Sequence, residues 1–304
     1  MPRRRASLQQ AVNSLREIPG VVGVAWGQPQ RGARWLDHQA LVAHVRWKHD
    51  TGPKGERVPR AIQGFDTDVV EVGPAVTLSG LFDHSDHVVA PAGPYFRAST
   101  PTLLQVSAGL PVALVSGHGT LPIAGGAFRP PAGAHLRLDD PAFGRAEGVL
   151  HSGAVEAGLD FALARFPGVD PNLWSRWHYV GGRPPIRTRR TRLLPGEAVY
   201  HFSNLPGRRS RVRGFYRQNV LHDVELEDAH VGAVNLGALL FVQSVSPQWP
   251  FALPGDSGSL VVDDDGTAVG VVVGSTRDRR WAYVMTLGNL GFLLSAEELG
   301  WFFK

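Results

Sequence analysis

The sequence predicts a mainly β protein whose body has two barrel-like halves, preceded by a small α+β module and followed by a C-terminal helix. Two observations predict this fold class. Glycine (36 residues) and proline (23 residues) are frequent in the 304-residue chain, which favours short strands and tight turns over long helices. From about residue 103 onward, short apolar runs alternate with turns rich in Gly, Pro and Asp, as in β-sandwiches and β-barrels.

The N-terminal module is predicted to span residues 1–74. Apolar residues recur at helical spacing between Ser7 and Glu17, and Ser7 can act as the N-cap of this helix. Three strands are predicted after it, at residues 21–27, 40–47 and 66–73. A helix followed by strands predicts a compact α+β unit. We interpret it as a pro-region, an inhibitor or a docking module for a regulatory protein partner.

Residues 75–102 contain several Gly and Pro and are predicted to form an irregular connection. The body is predicted at residues 103–304. Its apolar runs are PVALVSG, AHLRL, AEGVLH, LDFALARF, EAVYHF, GRRSRVRGFY, LLFVQSV, SLVVDDDGTAVGVVVG and AYVMTLG. The last segment, SAEELGWFFK, is predicted to be a helix with Ser295 as its N-cap and two acidic residues in its first turn.

The composition excludes several classes of protein. Hydrophobic residues make up 43% of the chain, which argues against disorder, and no apolar run is long enough to span a bilayer. The sequence contains no cysteine, so thiol chemistry is excluded and a reducing compartment is favoured. The N-terminus lacks the apolar segment of a signal peptide. We therefore expect a cytoplasmic protein without membrane association.

Two charged segments suggest binding, but each has a simpler interpretation. Ten arginines lie between Arg183 and Arg217 and could engage phosphate or an acidic partner. Stacking aromatic residues are sparse there, so we interpret the segment as solvated surface and do not expect nucleic-acid binding. DHSDH, residues 83–87, could bind a metal, but no further ligands follow at suitable spacing. We expect a solvated loop, no metal and no cofactor.

The stretch GDSGS, residues 255–259, predicts a nucleophilic serine. The glycines let the backbone turn sharply, so that the N–H groups of Gly255 and Ser257 can converge as an oxyanion hole. The segment that follows predicts a β-hairpin, which differs from the strand–turn–helix of the α/β-hydrolases. A glycine-rich hairpin connection is the alternative interpretation of Ser257.

A nucleophilic serine needs a base and an orienting acid. His118 follows the apolar run PVALVSG and precedes small residues, so it can face a cleft; its alternative is a hydrogen-bonded turn histidine. Asp160 opens the apolar run LDFALARF, where a carboxylate is costly unless paired; its alternative is a cap at the start of a strand. Asp139 and Asp140 are rivals, but their segment LRLDDPAFG predicts a solvated turn.

The three candidates occur in the order His118, Asp160, Ser257, which is the order of the chymotrypsin-type triad. Residues 103–304 resemble the trypsin-like serine proteases of the chymotrypsin fold, and most of all their cysteine-free intracellular bacterial members. The matching pieces are ALVSGHG, LDFALARF, PGDSGSL, and AVGVVVGS followed by AYVMTL. Intracellular members are often associated with bacterial regulatory or defence systems, so the resemblance implies a role of that kind.

The resemblance implies a role for each matching position. Ser257 attacks the scissile carbonyl, His118 takes and later returns its proton, and Asp160 holds the imidazole tautomer. The N–H groups of Gly255 and Ser257 hold the oxyanion. Asp256 corresponds to a residue whose partner in the family is a newly exposed N-terminus. An Ile-Val-Gly-Gly start is missing here, so this partner and the need for activation by cleavage are left open.

The predicted substrate-binding residues are Phe251, Ala252, Val273, Gly274 and Ser275. The resemblance implies that the last three pair with the backbone of the bound peptide. The resemblance also implies that Phe251, six residues before Ser257, lies at the base of the primary specificity pocket, so no carboxylate is available there to attract lysine or arginine. We therefore expect a hydrophobic or small P1 residue, which is the residue on the acyl side of the cleaved bond.

Two hypotheses of function result. The first is a serine endopeptidase that acts on polypeptides through an acyl-enzyme intermediate. The second is a catalytically inactive protein of the protease fold, which binds nucleic acid or a regulatory partner through the arginine-rich segment. The presence of His118, Asp160 and Ser257 favours the first hypothesis.

Overall fold

The structure is a computed structural model. It describes residues 2–32, 34–46, 48, 57–78, 88–91, 103–107, 110–120, 135–140, 144–156, 159–170, 193–203, 208, 210–222, 224–228 and 232–287. The predicted C-terminal helix, the DHSDH segment and the arginines at 183–192 lie outside these residues.

The described residues of the N-terminal region form one helix and seven short strands. They are α1 (Pro2–Arg16), β1 (Val21–Gly27), β2 (Gln30–Arg31), β3 (Arg34–Trp35), β4 (Ala40–Val45), β5 (Ala61–Ile62), β6 (Phe65–Glu71) and β7 (Ala75–Thr77). The predicted helix and the three predicted strands are confirmed. The helix begins at Pro2 instead of after Ser7, because proline fits the first helical position, where its missing N–H costs nothing.

The first half of the body is a six-stranded antiparallel sheet with one helical turn. Its elements are β8 (Val88–Pro91), β9 (Leu103–Ser107), β10 (Leu110–Val115), α2 (Gly117–Thr120), β11 (His135–Asp140), β12 (Gly144–Glu156) and β13 (Leu159–Arg165). The strand order is β8-β11-β12-β13-β10-β9.

The second half is a closed barrel of six strands. The remaining strands are β14 (Ala198–Ser203), β15 (Ser210–Val220), β16 (Val224–Asp228), β17 (Gly232–Leu236), β18 (Leu239–Ser244), β19 (Leu260–Val262), β20 (Ala268–Thr276) and β21 (Trp281–Thr286). Antiparallel pairing runs around β14-β15-β18-β21-β20-β19 and returns to β14. The prediction of a mainly β body with two barrel-like halves is confirmed.

Strands from outside the barrel extend its sheet on two sides. On one side β1 pairs with β15, and β4 and β6 follow it, so the N-terminal region is hydrogen-bonded to the barrel. On the other side β7 pairs antiparallel with β20 and parallel with β16. The short strand β7 therefore lies between two strands of the body.

The structure corrects several local predictions. The segment at 75–102 is not irregular throughout, since it contains β7 and β8. The strands β16 and β17 were not predicted, because their sequences, VELED and GAVNL, alternate too briefly to stand out. Asp139 and Asp140 end β11 and pair with the start of β12 instead of forming a turn. The boundaries at residues 74 and 102 as limits of domains remain a prediction.

The core is built from the two faces of the barrel strands. One cluster contains residues from all six strands, including Leu240 and Val242 of β18. The alternate residues Leu239 and Phe241 belong to a second cluster, which they share with apolar side chains of the six-stranded sheet. Because side chains alternate along a strand, the same strands fill the barrel and pack it against the first half. No helix in the described part of the chain is long and apolar enough to cross a membrane.

Candidate active site

The three side chains predicted to form a triad lie together where the two halves of the body meet. His118 lies on α2 and Asp160 on β13, both in the first half, and Ser257 lies in the loop between β18 and β19 of the barrel. Ser257 Oγ is 2.7 Å from His118 Nε2, and His118 Nδ1 is 2.5 Å from Asp160 Oδ2. His118 thus lies on a helical turn and not, as its sequence context predicted, at the end of a strand.

Hydrogen bonds fix the orientation of the histidine and of the acid. Asp160 Oδ1 accepts a hydrogen bond of 2.7 Å from the backbone N–H of His118, and its Oδ2 faces the imidazole. This arrangement favours the tautomer with the proton on Nδ1, in which Nε2 is the atom that accepts the hydroxyl proton of Ser257. All three side chains are fully buried, so the carboxylate is paired with the imidazole away from bulk solvent.

A fourth residue, Ser116, joins this network and was not predicted. Its Oγ donates to Asp160 Oδ2 over 3.1 Å and lies 2.8 Å from His118 Nδ1. Ser257 Oγ is 3.1 Å from the same Ser116 oxygen. Ser116 precedes His118 by two residues, but no pattern in the sequence distinguishes it from other serines at strand ends.

The nucleophile loop has the backbone that the glycines were predicted to allow. Gly255 and Gly258 have φ values of 100° and 87°, which side chains disfavour. The N–H of Gly258 donates to the carbonyl of Val272 on β20 at 2.8 Å, which ties the loop to the barrel. The N–H of Gly255, a predicted oxyanion donor, donates to the carbonyl of Leu78 at 2.7 Å.

Asp256 has partners that the sequence left open. Its Oδ1 accepts a hydrogen bond of 2.7 Å from Ser203 Oγ, and its Oδ2 accepts one of 2.9 Å from the N–H of Leu253. Arg208 Nη1 lies 3.8 Å from Oδ2. The positive charge near this buried carboxylate therefore comes from the arginine-rich segment. Sequence reasoning missed Ser203 and Arg208 because both are distant from Asp256 along the chain.

The predicted base of the specificity pocket is apolar and firmly held. Phe251 and Ala252 are buried and share one cluster with Leu78. The carbonyl of Phe251 accepts a hydrogen bond of 2.5 Å from His201 Nε2, and the two rings meet edge to face at 4.8 Å. Burial lowers the pKa of His201, which favours a neutral imidazole beside the pocket.

The strand predicted to hold the substrate backbone is already paired. Gly274 and Ser275 of β20 lie opposite Thr77 and Val76 of β7. Val273 is fully buried. Among the described residues, no group of three or more His, Asp or Glu side chains is placed to hold a metal ion.

The sequence matches no protein-family model and no curated protein. The solved structures that are similar to the chain include three chymotrypsin-fold serine proteases. The Rv3671c protease of M. tuberculosis in its active form is 14% identical over 67% of this chain and 72% of its own, with a TM-score of 0.41. An alpha-lytic protease homolog, N4, is 18% identical over 68% of this chain and 96% of its own, with a TM-score of 0.39.

The third structure is the MamO protease domain of Magnetospirillum magneticum in its apo form. It is 15% identical over 69% of this chain and 97% of its own, with a TM-score of 0.41. These likenesses concern the fold alone. The two strand-rich halves described above make the fold mainly β.

Proposed function

We propose that the protein is a serine endopeptidase that hydrolyses peptide bonds through an acyl-enzyme intermediate. The observation that carries this proposal is the continuous line from Asp160 through His118 to Ser257, with separations of 2.5 Å and 2.7 Å. This line joins an orienting acid, a base and a nucleophile in the order that activates a serine hydroxyl.

Each residue then has one role in the reaction. Ser257 Oγ attacks the carbonyl carbon of the substrate while His118 Nε2 takes the hydroxyl proton. Asp160 holds the Nδ1 proton in place and stabilises the imidazolium. The N–H groups of Gly255 and Ser257 stabilise the oxyanion. His118 gives its proton to the leaving amine, and water then hydrolyses the ester.

The apolar surroundings of Phe251 and Ala252 support a preference for a hydrophobic P1 residue. A lysine or arginine at P1 would bring a charge next to buried apolar side chains without a carboxylate to pair it, which is costly. We therefore expect peptides with leucine at P1 to be cleaved faster than peptides with lysine or arginine. Equal or faster cleavage after a basic residue in a chromogenic peptide series would contradict this specificity.

Labelling with a fluorophosphonate tests the proposed nucleophile. The wild-type chain should be labelled at Ser257, and Ser257→Ala should abolish the labelling because no other activated hydroxyl is expected. Ser14→Ala, which removes a hydroxyl on α1, should leave labelling unchanged. Labelling that survives Ser257→Ala would contradict the assignment.

Substitution of the other two residues tests whether the three act as a unit. His118→Ala and Asp160→Asn should each lower peptide hydrolysis by roughly three to four orders of magnitude while the chain stays folded. A wild-type chain that is neither labelled nor active, but binds nucleic acid in a salt-sensitive way, would instead support the inactive binding protein.

A further inference from the structure

The cleft of the proposed protease is occupied by a segment of its own chain. Strand β7 runs antiparallel to β20, with Thr77 opposite Gly274, Val76 opposite Ser275 and Ala75 opposite Thr276. The pairing is extended by the N–H of Arg277, which donates to the carbonyl of Pro74 at 3.0 Å. Gly274 and Ser275 are residues that were predicted to pair with the backbone of a bound peptide. Strand β7 therefore takes the place predicted for a substrate.

The residue that follows β7 is Leu78, and it lies next to the predicted oxyanion donor Gly255. The pairing of β7 with β20 ends at Thr77 opposite Gly274, and Leu78 is the next residue along the chain. The carbonyl oxygen of Leu78 accepts a hydrogen bond of 2.7 Å from the N–H of Gly255. This N–H is the predicted donor to the oxyanion, so the carbonyl of Leu78 occupies the position expected for a scissile carbonyl.

The side chain of Leu78 also fits the specificity predicted from Phe251. Only 1% of Leu78 is exposed, and it belongs to the apolar cluster that contains Phe251 and Ala252. An apolar P1 residue thus fills the apolar pocket. Backbone pairing, carbonyl position and side-chain burial are separate features, and a merely structural strand would not need to combine all three.

We propose that the protein cleaves its own chain after Leu78, with Ala75–Leu78 bound as the acyl side of the substrate. This inference rests on the proposed endopeptidase function and adds a substrate and a processing site to it. The proposed substrate is an extended polypeptide segment with leucine at P1. Until β7 leaves the cleft, the same segment excludes other polypeptides.

The reaction is a hydrolysis that needs only water as co-reactant. Ser257 Oγ bonds to the carbonyl carbon of Leu78, and the peptide bond to Ser79 breaks. The proton of Ser257 passes through His118 to the amine of Ser79. Water then attacks the ester, leaving Leu78 with a carboxylate and returning the proton to Ser257.

The two products stay together after the cut. Residues 1–78 keep the pairing of β1 with β15, so they remain attached to residues 79–304 through backbone hydrogen bonds even after β7 leaves the cleft. The products should therefore separate in denaturing electrophoresis and co-elute in native size-exclusion chromatography.

Intact-mass spectrometry of the full-length chain tests the inference. The wild-type chain should give fragments 1–78 and 79–304, and Ser257→Ala should stay intact. Leu78→Lys should slow the cut by at least about 100-fold, because a lysine would bury an unpaired charge in the pocket. The same change at Leu194, which is 63% exposed, is the matched control and should leave the cut unchanged.

A second variant covers the case in which Leu78→Lys does not fold. Ser79→Pro leaves the Leu78 side chain in place and converts the bond to be cut into a tertiary amide, and it should also stay intact. Because the reaction is intramolecular, the rate should not change on dilution. Ser257→Ala chain mixed with wild type should stay uncut, since its own β7 lies in its own cleft.

Failure of this inference can be distinguished from failure of the proposed function. A wild-type chain that stays intact, is cut at another bond, or cuts the Ser257→Ala chain overturns self-cleavage after Leu78. The Leu78→Gly substitution empties the pocket. Fluorophosphonate labelling of this variant then tests the proposed endopeptidase function by itself. If Ser257 is labelled in that variant, the endopeptidase stands without self-cleavage, and if it is not labelled, the endopeptidase proposal fails as well.

Discussion

At the residue scale, Ser116 shows how a small group can support a proposed triad. Its hydroxyl contacts the acid, the base and the nucleophile at 3.1, 2.8 and 3.1 Å. A hydroxyl that donates to Asp160 helps hold the carboxylate facing the imidazole, as hydrogen bonds to charged groups are the stronger ones. We interpret Ser116 as a positioning residue for Asp160 and His118.

Substitution of Ser116 should separate positioning from folding. Ser116→Ala should slow fluorophosphonate labelling of Ser257 by roughly 10- to 100-fold, because a hydrogen bond to a charged group contributes about 1.5–3 kcal/mol. Ser116→Thr keeps the hydroxyl and should recover most of the labelling rate. The melting temperature of Ser116→Thr should differ little from that of the wild type. Ser14→Ala is the control. An unchanged labelling rate in Ser116→Ala would remove Ser116 from the network.

Arg208 is a second residue whose role only becomes visible in three dimensions. It approaches the buried carboxylate of Asp256, next to the nucleophile, and its Nη2 donates to the carbonyl of Pro250. The guanidinium therefore connects the arginine-rich segment to the loop that carries Ser257.

Arg208→Met should therefore lower both stability and activity. Without this cation, the carboxylate of Asp256 keeps only its two neutral hydrogen-bond donors, Ser203 and Leu253. We expect the free energy of unfolding to fall by about 1–3 kcal/mol. Thermal unfolding and fluorophosphonate labelling are the measurements. Arg213→Met, an exposed arginine on the same segment, is the matched control. Equal effects of the two substitutions would show that Arg208 acts only as surface charge.

At the element scale, the insertion of β7 depends on a close approach at Gly274. A Cβ at this position would lie 2.1 Å from Leu226 Cδ2 and 2.8 Å from the carbonyl oxygen of Val76. The first neighbour belongs to β16 and the second to β7, so glycine allows both strands to lie against β20.

Gly274→Ala should disturb β7 and β16 together. The carbonyl of Val76 is backbone and cannot rotate away, so we expect a loss of about 1–3 kcal/mol in the free energy of unfolding and slower self-cleavage. Denaturant unfolding and intact-mass spectrometry measure the two effects. Gly168→Ala, where a Cβ would meet no atom within 4 Å, should be neutral. Normal cleavage in Gly274→Ala would argue against β7 as the substrate strand.

At the scale of the whole molecule, His44 lies at the junction between the N-terminal region and the barrel. It is buried on β4, its Nε2 donates to Gln218 Oε1 of β15 at 2.7 Å, and its ring packs against Phe241 of β18 at 4.5 Å. Burial, together with the nearby charge of His222, lowers the pKa of His44 to about 4, although the bond to Gln218 acts in the opposite direction.

This junction should weaken in acid. Between pH 6.5 and about 4 the unfolded chain binds a proton at His44 that the folded chain does not. The free energy of unfolding therefore falls as the pH falls through this window, by up to about 3 kcal/mol. His44→Gln should reduce this dependence, whereas His38→Gln, at an exposed position, should not. Parallel pH curves for wild type and His44→Gln would contradict the assignment.

The sequence by itself determined the β class of the body, the N-terminal helix and strands, and the residues of the proposed triad. Strand periodicity and glycine-rich turns are local, so the sequence displays them directly. The same holds for the GDSGS loop. Its glycines, Gly255 and Gly258, have positive φ values, which glycine adopts easily and residues with a Cβ do not.

Only the tertiary structure decided which distant groups meet. The contact of Arg208 with Asp256, the place of Ser116 beside His118, and the insertion of β7 between β20 and β16 all depend on strand pairing. A three-residue strand has too few alternations to reveal its register or its partner, and pairing between distant strands is set by the packing of the whole sheet. For this reason the sequence predicted an irregular connection where the structure has a segment in the cleft.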